Sequence, residues 1–240
     1  MPKFISVTWS EGVTSQESDI LVQTISQMLK GLFLRYPSAL WDPPLQVRVF
    51  GNWVIPALAA ARKPYWGAQW YVEASYNREL GRVIAPTFLE LVRREPWQQA
   101  EPHLDIILLD QDLTDFPTPL ARLRPEHYTL GTSLPGSMAV MSVYRLRQIQ
   151  GEKMRELALA RLVRHHLGHI LGVPLFTRKD EISRLGLETH CTNRCTMRHA
   201  HTVEELVEYA REETEMGWPF CEHCTRDLVS ILVRLSHSWS

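Results

Sequence analysis

Apolar and polar positions along this chain change period several times, and each change marks the boundary of an element. Phe4 to Trp9 reads as a first strand. Thr14-Ser15-Gln16-Glu17 then has the spacing of a capping box, in which the threonine side chain accepts from the third helical amide while the glutamate reaches back. Ile20, Leu21, Ile25, Met28, Leu29, Leu32 and Phe33 follow at helical spacing, so the pattern predicts a helix from about Ser15 to Phe33. Pro37, Pro43 and Pro44 interrupt regular structure, and Leu45 to Phe50 reads as a second strand. Val83 to Arg94 is expected to be helical, ended by Pro96. Leu104 to Leu109 is nearly all apolar, as in a strand covered on both faces. Tyr128 to Met141 reads as a strand hairpin turning at Ser133-Leu134-Pro135-Gly136. Helical spacing returns over Glu152 to Leu171, Val203 to Glu215 and Cys224 to Leu235, with a charge-rich surface excursion expected over Thr177 to Glu188. Strands alternating with helices, then a cysteine-bearing tail, indicate an α/β (α+β) layer fold.

Composition narrows the function classes. The formal net charge is -1, which gives no global attraction to nucleic acid or to an anionic membrane. No window approaches the roughly 20 apolar residues needed to span a bilayer, and the N-terminus lacks the long apolar stretch of a signal peptide. The expected location is therefore cytoplasmic, where closely spaced cysteines favour zinc over disulfides. Residues Trp53 to Tyr76 include Trp66, Trp70 and Tyr71. Basic residues are sparse there, so core packing is expected rather than base stacking.

The chemistry-bearing residues lie late in the chain. All four cysteines form two short-spaced pairs, Cys191/Cys195 and Cys221/Cys224, the set needed for a closed tetrahedral zinc site. His165 and His169 lie one helical turn apart, so both rings can reach one ion. Two unrelated histidines on a polar face would look the same. Gly172 adds weight, because a left-handed glycine there can end the helix and turn the chain back with a third ligand. In zinc peptidases the residue after the first histidine is a glutamate, which takes the proton of the attacking water and passes it to the leaving amine. Here that place belongs to His166. An imidazole beside a dication is a poor proton acceptor, because the ion's field pushes its pKa below the reference of about 6.5. His166 as a fourth ligand is disfavoured, since adjacent helical residues diverge by about 100°.

The succession H-x-x-x-H-x-x-G, His190-Cys191, Cys195-Thr196-Met197 and C-x-x-C resembles the archaemetzincins, a branch of the metzincin zinc peptidases. Their pattern is H-E-x-x-H-x-x-G-x-x-H-C-x-x-x-x-C-x-M followed by C-x-x-C. The resemblance is strong over about 165–224 and thin before 100. It implies a single peptidase domain over 1–240, with subdomains 1–172 and 173–240. It also implies a twisted mixed sheet above an active-site helix, and a small zinc-bound C-terminal segment. By the same resemblance two zinc ions are expected. His165, His169 and His190 hold the catalytic one, Cys191, Cys195, Cys221 and Cys224 hold the structural one, and Met197 forms the turn beneath the first.

Four departures stand out. His166 replaces the glutamate. Leu175 takes the place of the third histidine, so that Val173 to Thr189 reads as an insertion that loops out and returns at His190. The first cysteine pair is one residue shorter than the pattern, and the stretch from Met197 to Cys221 is longer. The expected function is peptide-bond hydrolysis by zinc-bound water, impaired at the base, with His166 the catalytic candidate or a carboxylate brought by Glu181 or Glu188. A peptide would add to the edge strand drawn from Tyr128 to Met141, and Leu175 to Glu188 would sit at the cleft mouth. The alternative is an inactive pseudo-peptidase that binds a peptide or protein partner. Nucleic-acid binding through the cysteine segment is disfavoured, because glutamates 204, 205, 208, 212, 213 and 215 oppose Arg194, Arg198 and Arg226.

Overall fold

A computed structural model describes residues 4–36, 45–52, 68–116, 123–124 and 126–237. In chain order the elements are β1 (Phe4–Trp9), α1 (Ser15–Arg35), β2 (Gln46–Gly51), α2 (Ala68–Ser75), β3 (Tyr76–Asn77), β4 (Arg82–Ile84), α3 (Ala85–Arg93) and α4 (Pro96–Ala100). They continue with β5 (Leu104–Leu109), β6 (Leu113–Thr114), β7 (Gly131–Leu134), β8 (Met138–Ser142) and α5 (Glu152–Ile170). The C-terminal part adds β9 (Ile182–Leu185), β10 (Glu188–Cys191), α6 (Val203–Thr214) and α7 (Glu222–His237).

The main sheet has the order β2-β1-β5-β8-β7. Its first four strands are parallel to their neighbours, and β7 runs antiparallel along the outer edge. The apolar run of β5 is explained by its two faces. Leu104, Ile106 and Leu108 join the core beneath α1 and α5, whereas Ile107 and Leu109 join a second core with Tyr71, Phe88 and Leu89 of α2 and α3. A strand sandwiched in this way has no solvent face, so its pattern is continuous rather than alternating. Asp105 is the exception, and Gln98 and His103 satisfy its carboxylate at 2.8 and 3.3 Å.

The N-terminal capping box of α1 is present, with Thr14 Oγ1 accepting from Glu17 N and Glu17 Oε2 accepting from Thr14 N. Arg147 clamps the same glutamate at 2.7 Å and so ties the start of α1 to the segment leading into α5. The helix expected over Val83 to Arg94 begins later, at Ala85. Residues Arg82–Ile84 are strand instead, paired with β3 and β6. Pro86 accounts for this, since its ring and missing N–H are tolerated only in a first helical turn. The excursion over Thr177 to Glu188 is half right. Its end folds into the antiparallel pair β9–β10, turning at Gly186-Leu187 with Gly186 at φ +59°. Tyr71 packs in the core while Trp70 stays 40% exposed. Pro37, Pro43, Pro44, Trp53 and Trp66 lie outside the described residues. No helix among the described residues is long and apolar enough to cross a membrane.

Candidate metal centres and cleft

Helix α5 presents its last two turns to the underside of the sheet, and two glycines let it do so. A Cβ at Gly168 would lie 2.3 Å from Met197 Sδ, so only glycine allows Met197 to pack directly against the helix. Gly172, at φ +88°, ends the helix in a Schellman arrangement, with Gly172 N donating to His169 O and Val173 N to Gly168 O, both at 2.8 Å. The chain then leaves sideways, makes the β9–β10 hairpin and returns beneath the helix.

That return brings a third imidazole to the pair. Nitrogens of His165, His169 and His190 all lie within 4.8 Å of one another, and all three rings are buried. His165 Nε2 and His169 Nε2 are 3.1 Å apart. Two ligands on tetrahedral zinc at 2.0–2.1 Å are separated by about 3.3 Å, so this spacing suits a shared ion. His165 Nδ1 lies 2.8 Å from the carbonyl of Thr196, which places the proton there and leaves Nε2 with a free lone pair. Neither ring nitrogen of His190 has a hydrogen-bond partner among the described residues, although both are buried. Orphaned buried nitrogens are costly unless something binds them. Burial, with help from neighbouring imidazoles, pushes His165 well below its ordinary pKa and His169 down to about 3. These two rings are therefore neutral donors at physiological pH, as a metal ligand must be. The residues fit a zinc ion.

The second centre lies on the other side of the same strand. Cys191, Cys195, Cys221 and Cys224 bring their sulfurs within 4.8 Å of one another. Cys191 and Cys221 are 3.7 Å apart, close to the edge of about 3.8 Å for a zinc–thiolate tetrahedron and far from a disulfide. Met197 N and Cys221 N both donate to Cys195 Sγ, and Arg178 Nη1 donates to Cys224 Sγ at 3.4 Å. Hydrogen bonds from Cys195 hold the Cys191 thiol down at about 7, and those from Cys191 and Cys195 lower Cys221. Cys195 and Cys224 are pushed up as the donors of such bonds. Four cysteine sulfurs this close are a donor set that fits a closed tetrahedral zinc site.

Between the edge strand β7 and the tip of the β9–β10 hairpin runs a cleft of about 720 Å³, lined also by His199 and His201. Glu188, expected as a solvated loop charge or an outside carboxylate, is only 8% exposed and sits in this cleft. Its Oε1 accepts from Ser133 N of β7 at 2.6 Å, and its Oε2 lies 3.4 Å from His190 Nε2. Burial alone would raise its pKa, yet the His190 contact and the surrounding imidazoles hold it as a carboxylate, down at about 2. Glu181 is elsewhere. It is exposed, bonded to Asn193 and 3.4 Å from His223, beside the cysteine centre. His166 stands apart from the three-donor set, with Nδ1 2.8 Å from Ser133 Oγ and Nε2 facing Gly131, where a Cβ would come within 2.4 Å. Burial pushes it down to about 4, so it is neutral.

Four contributors escaped the sequence reading. His199 forms a second donor set with Glu188 and His190, and Gly131 and Gly168 make room for His166 and Met197. The glycines were visible as residues, but close approaches across 35 positions (Gly131 to His166) and 29 positions (Gly168 to Met197) leave no local pattern. Arg161, 1% exposed on α5, pairs with Glu213 of α6 at 3.2 Å and donates to the carbonyl of Arg198 at 2.8 Å. It thereby braces the segment that carries Met197 and His199.

A mixed sheet lies over a helix bearing two zinc-spaced histidines, with a methionine packed against that helix and a four-cysteine cluster beyond it. The chain is 32% identical over 83 residues to the archaemetzincin of Archaeoglobus fulgidus, a match covering 33% of this chain and 42% of that protein. It therefore spans about two fifths of the length of this curated relative. The crystal structure of an archaemetzincin from Methanopyrus kandleri superposes with a TM-score of 0.57 at 19% identity, covering 96% of each chain. No family model matches the chain. In fold and in sequence the protein is archaemetzincin-like.

Proposed function

We propose that this chain is a zinc-dependent peptidase of archaemetzincin type, acting on peptides laid along β7. The observation that carries this reading is the convergence of His165, His169 and His190 on one point, beside a cleft lined by Glu188 and His199. His165, His169 and His190 would hold one zinc, and Cys191, Cys195, Cys221 and Cys224 the other. When bound by the histidines, zinc supplies Lewis-acid polarisation of the peptide carbonyl and acidifies water.

The chain's own residues do the rest. Thr196 O fixes the tautomer of His165, and Met197 supports the helix from below. On the cleft side of β7, Gly131 O accepts from Thr129 Oγ1 and Ser133 N donates to Glu188 Oε1, and an extended peptide would add as a strand along this edge. His166, the sequence candidate for catalysis, is neutral and engaged by Ser133. Its part is to support β7.

Metal analysis combined with peptide digestion tests this. The wild type is expected to hold two zinc ions per chain and His169→Ala one, with hydrolysis of a peptide mixture lost in the variant. One ion per chain in both proteins would remove the reading. The second reading, a peptide-binding pseudo-peptidase, is favoured by a single observation: no carboxylate follows the first histidine. Two zinc ions and tight peptide binding without any cleavage would establish it.

A further inference from the structure

We propose that Glu188, carried into the cleft by the inserted hairpin, supplies the catalytic carboxylate that position 166 lacks. The proposal rests on the peptidase reading above. Glu188 and His190 are two residues apart on β10, so their side chains leave the same face of the strand. The returning segment thus delivers a metal donor and a carboxylate together.

Its position beside the three-histidine set suits an acid–base group. Glu188 closes to within 4.8 Å of His190 and His199, but it does not join the set formed by His165, His169 and His190. It therefore stands beside the point where the three histidines converge. One carboxylate oxygen is anchored on the edge strand by Ser133 N at 2.6 Å, and the other faces His190. That anchor takes up one edge amide and so holds the carboxylate at β7, the strand along which a substrate would lie. Other carboxylates do not compete. Of those lining the cleft among the described residues, Asp115 is bonded to His127 at 2.6 Å and Glu126 is exposed.

In the reaction Glu188 takes one proton from the attacking water as the water oxygen bonds to the carbonyl carbon. The carbon–nitrogen bond then breaks, and Glu188 returns that proton to the leaving nitrogen, which departs as the amine. Both oxygens remain on the new carboxyl group. Such a group contributes on the order of 10²–10⁴ in rate.

The test compares the wild type, Glu188→Gln, Glu188→Asp and the double variant Glu188→Gln/His166→Glu. Zinc content, affinity for a peptide hydroxamate and cleavage of a peptide mixture are read for each. Glutamine keeps an oxygen for Ser133 N, so the hairpin should stay docked. Expected for Glu188→Gln are two zinc ions per chain, hydroxamate affinity within about threefold of wild type, and a 10²–10⁴-fold loss of cleavage. Glu188→Asp should fall between, and the double variant should regain part of the rate. Unchanged cleavage in Glu188→Gln would overturn the proposal, as would loss of one zinc, which would make Glu188 a ligand. A wild type with two zinc ions and no cleavage would overturn it too. A wild type lacking the histidine-bound zinc would instead overturn the peptidase reading itself.

Discussion

The two metal centres share one strand and differ in almost everything else. The cysteine centre draws Cys191 from the end of β10, Cys195 and Cys221 from loops and Cys224 from the first turn of α7, closes on itself, and lies away from the cleft. The histidine centre takes two donors from a rigid helix and one from β10, and lies beside a cleft lined by Glu188 and His199. Four thiolates complete a tetrahedron and leave nothing to react, whereas three imidazoles leave a position for water or substrate. Because His190 and Cys191 are consecutive on β10, the closed centre anchors the strand that completes the open one.

The largest effect should follow from breaking that anchor. Cys224→Ser is expected to lose the cysteine-bound zinc and, with β10 freed, to weaken the histidine site as well. Apparent binding to structural sites of this kind is roughly 10–16 kcal/mol in zinc-finger peptides. Zinc content near zero and a collapsed thermal transition are expected, and an intact histidine-bound zinc would show that the two centres are independent. His169→Ala, by contrast, should remove only its own ion and leave the fold cooperative, which metal analysis and thermal melting together will read.

Arg161→Ala tests the brace between α5 and α6. Removing one partner of a buried ion pair typically costs about 3–5 kcal/mol, and denaturant midpoints should fall accordingly. Acid should act next. In metal-stripped protein His166, His169 and His199 titrate at about 4, 3 and 3, against 6.5 when unfolded. Below 6.5 the unfolded chain binds protons that the folded chain refuses, so stability must fall as pH drops from about 6.5 toward 3. Denaturation curves at pH 7.5 and 5 will check the sign, and added zinc should resist the loss. The smallest effect belongs to Arg226→Ala, whose exposed pair with Glu222 is expected to change stability by less than about 1 kcal/mol and neither zinc occupancy.

How much of this was legible depended on whether the signal was local. The strands Phe4–Trp9 and Leu104–Leu109 match their apolar runs residue for residue, and the capping box at Thr14 set the start of α1. The cysteine set was readable because no other cysteine competes with it. Val83 was misplaced because a three-residue strand feeding a proline-started helix shares the helix's apolar spacing. The opposing charges around the cysteines were read correctly: Arg198 and Arg194 are paired with Glu212 and Glu215.

The chain by itself determined which donors exist and which carboxylate is missing. Side-chain chemistry and helical spacing are properties of neighbouring residues, so His165, His169 and the four cysteines could be named directly. Only the tertiary structure decided that His190 arrives at the same point, and that Glu188 rather than Glu181 enters the cleft. Alternation along β10, the two-residue turn at Gly186-Leu187 and the grip of Ser133 N on a carboxylate 55 positions away decide those matters together. No local pattern encodes such a meeting, because it depends on where the sheet edge lies in space.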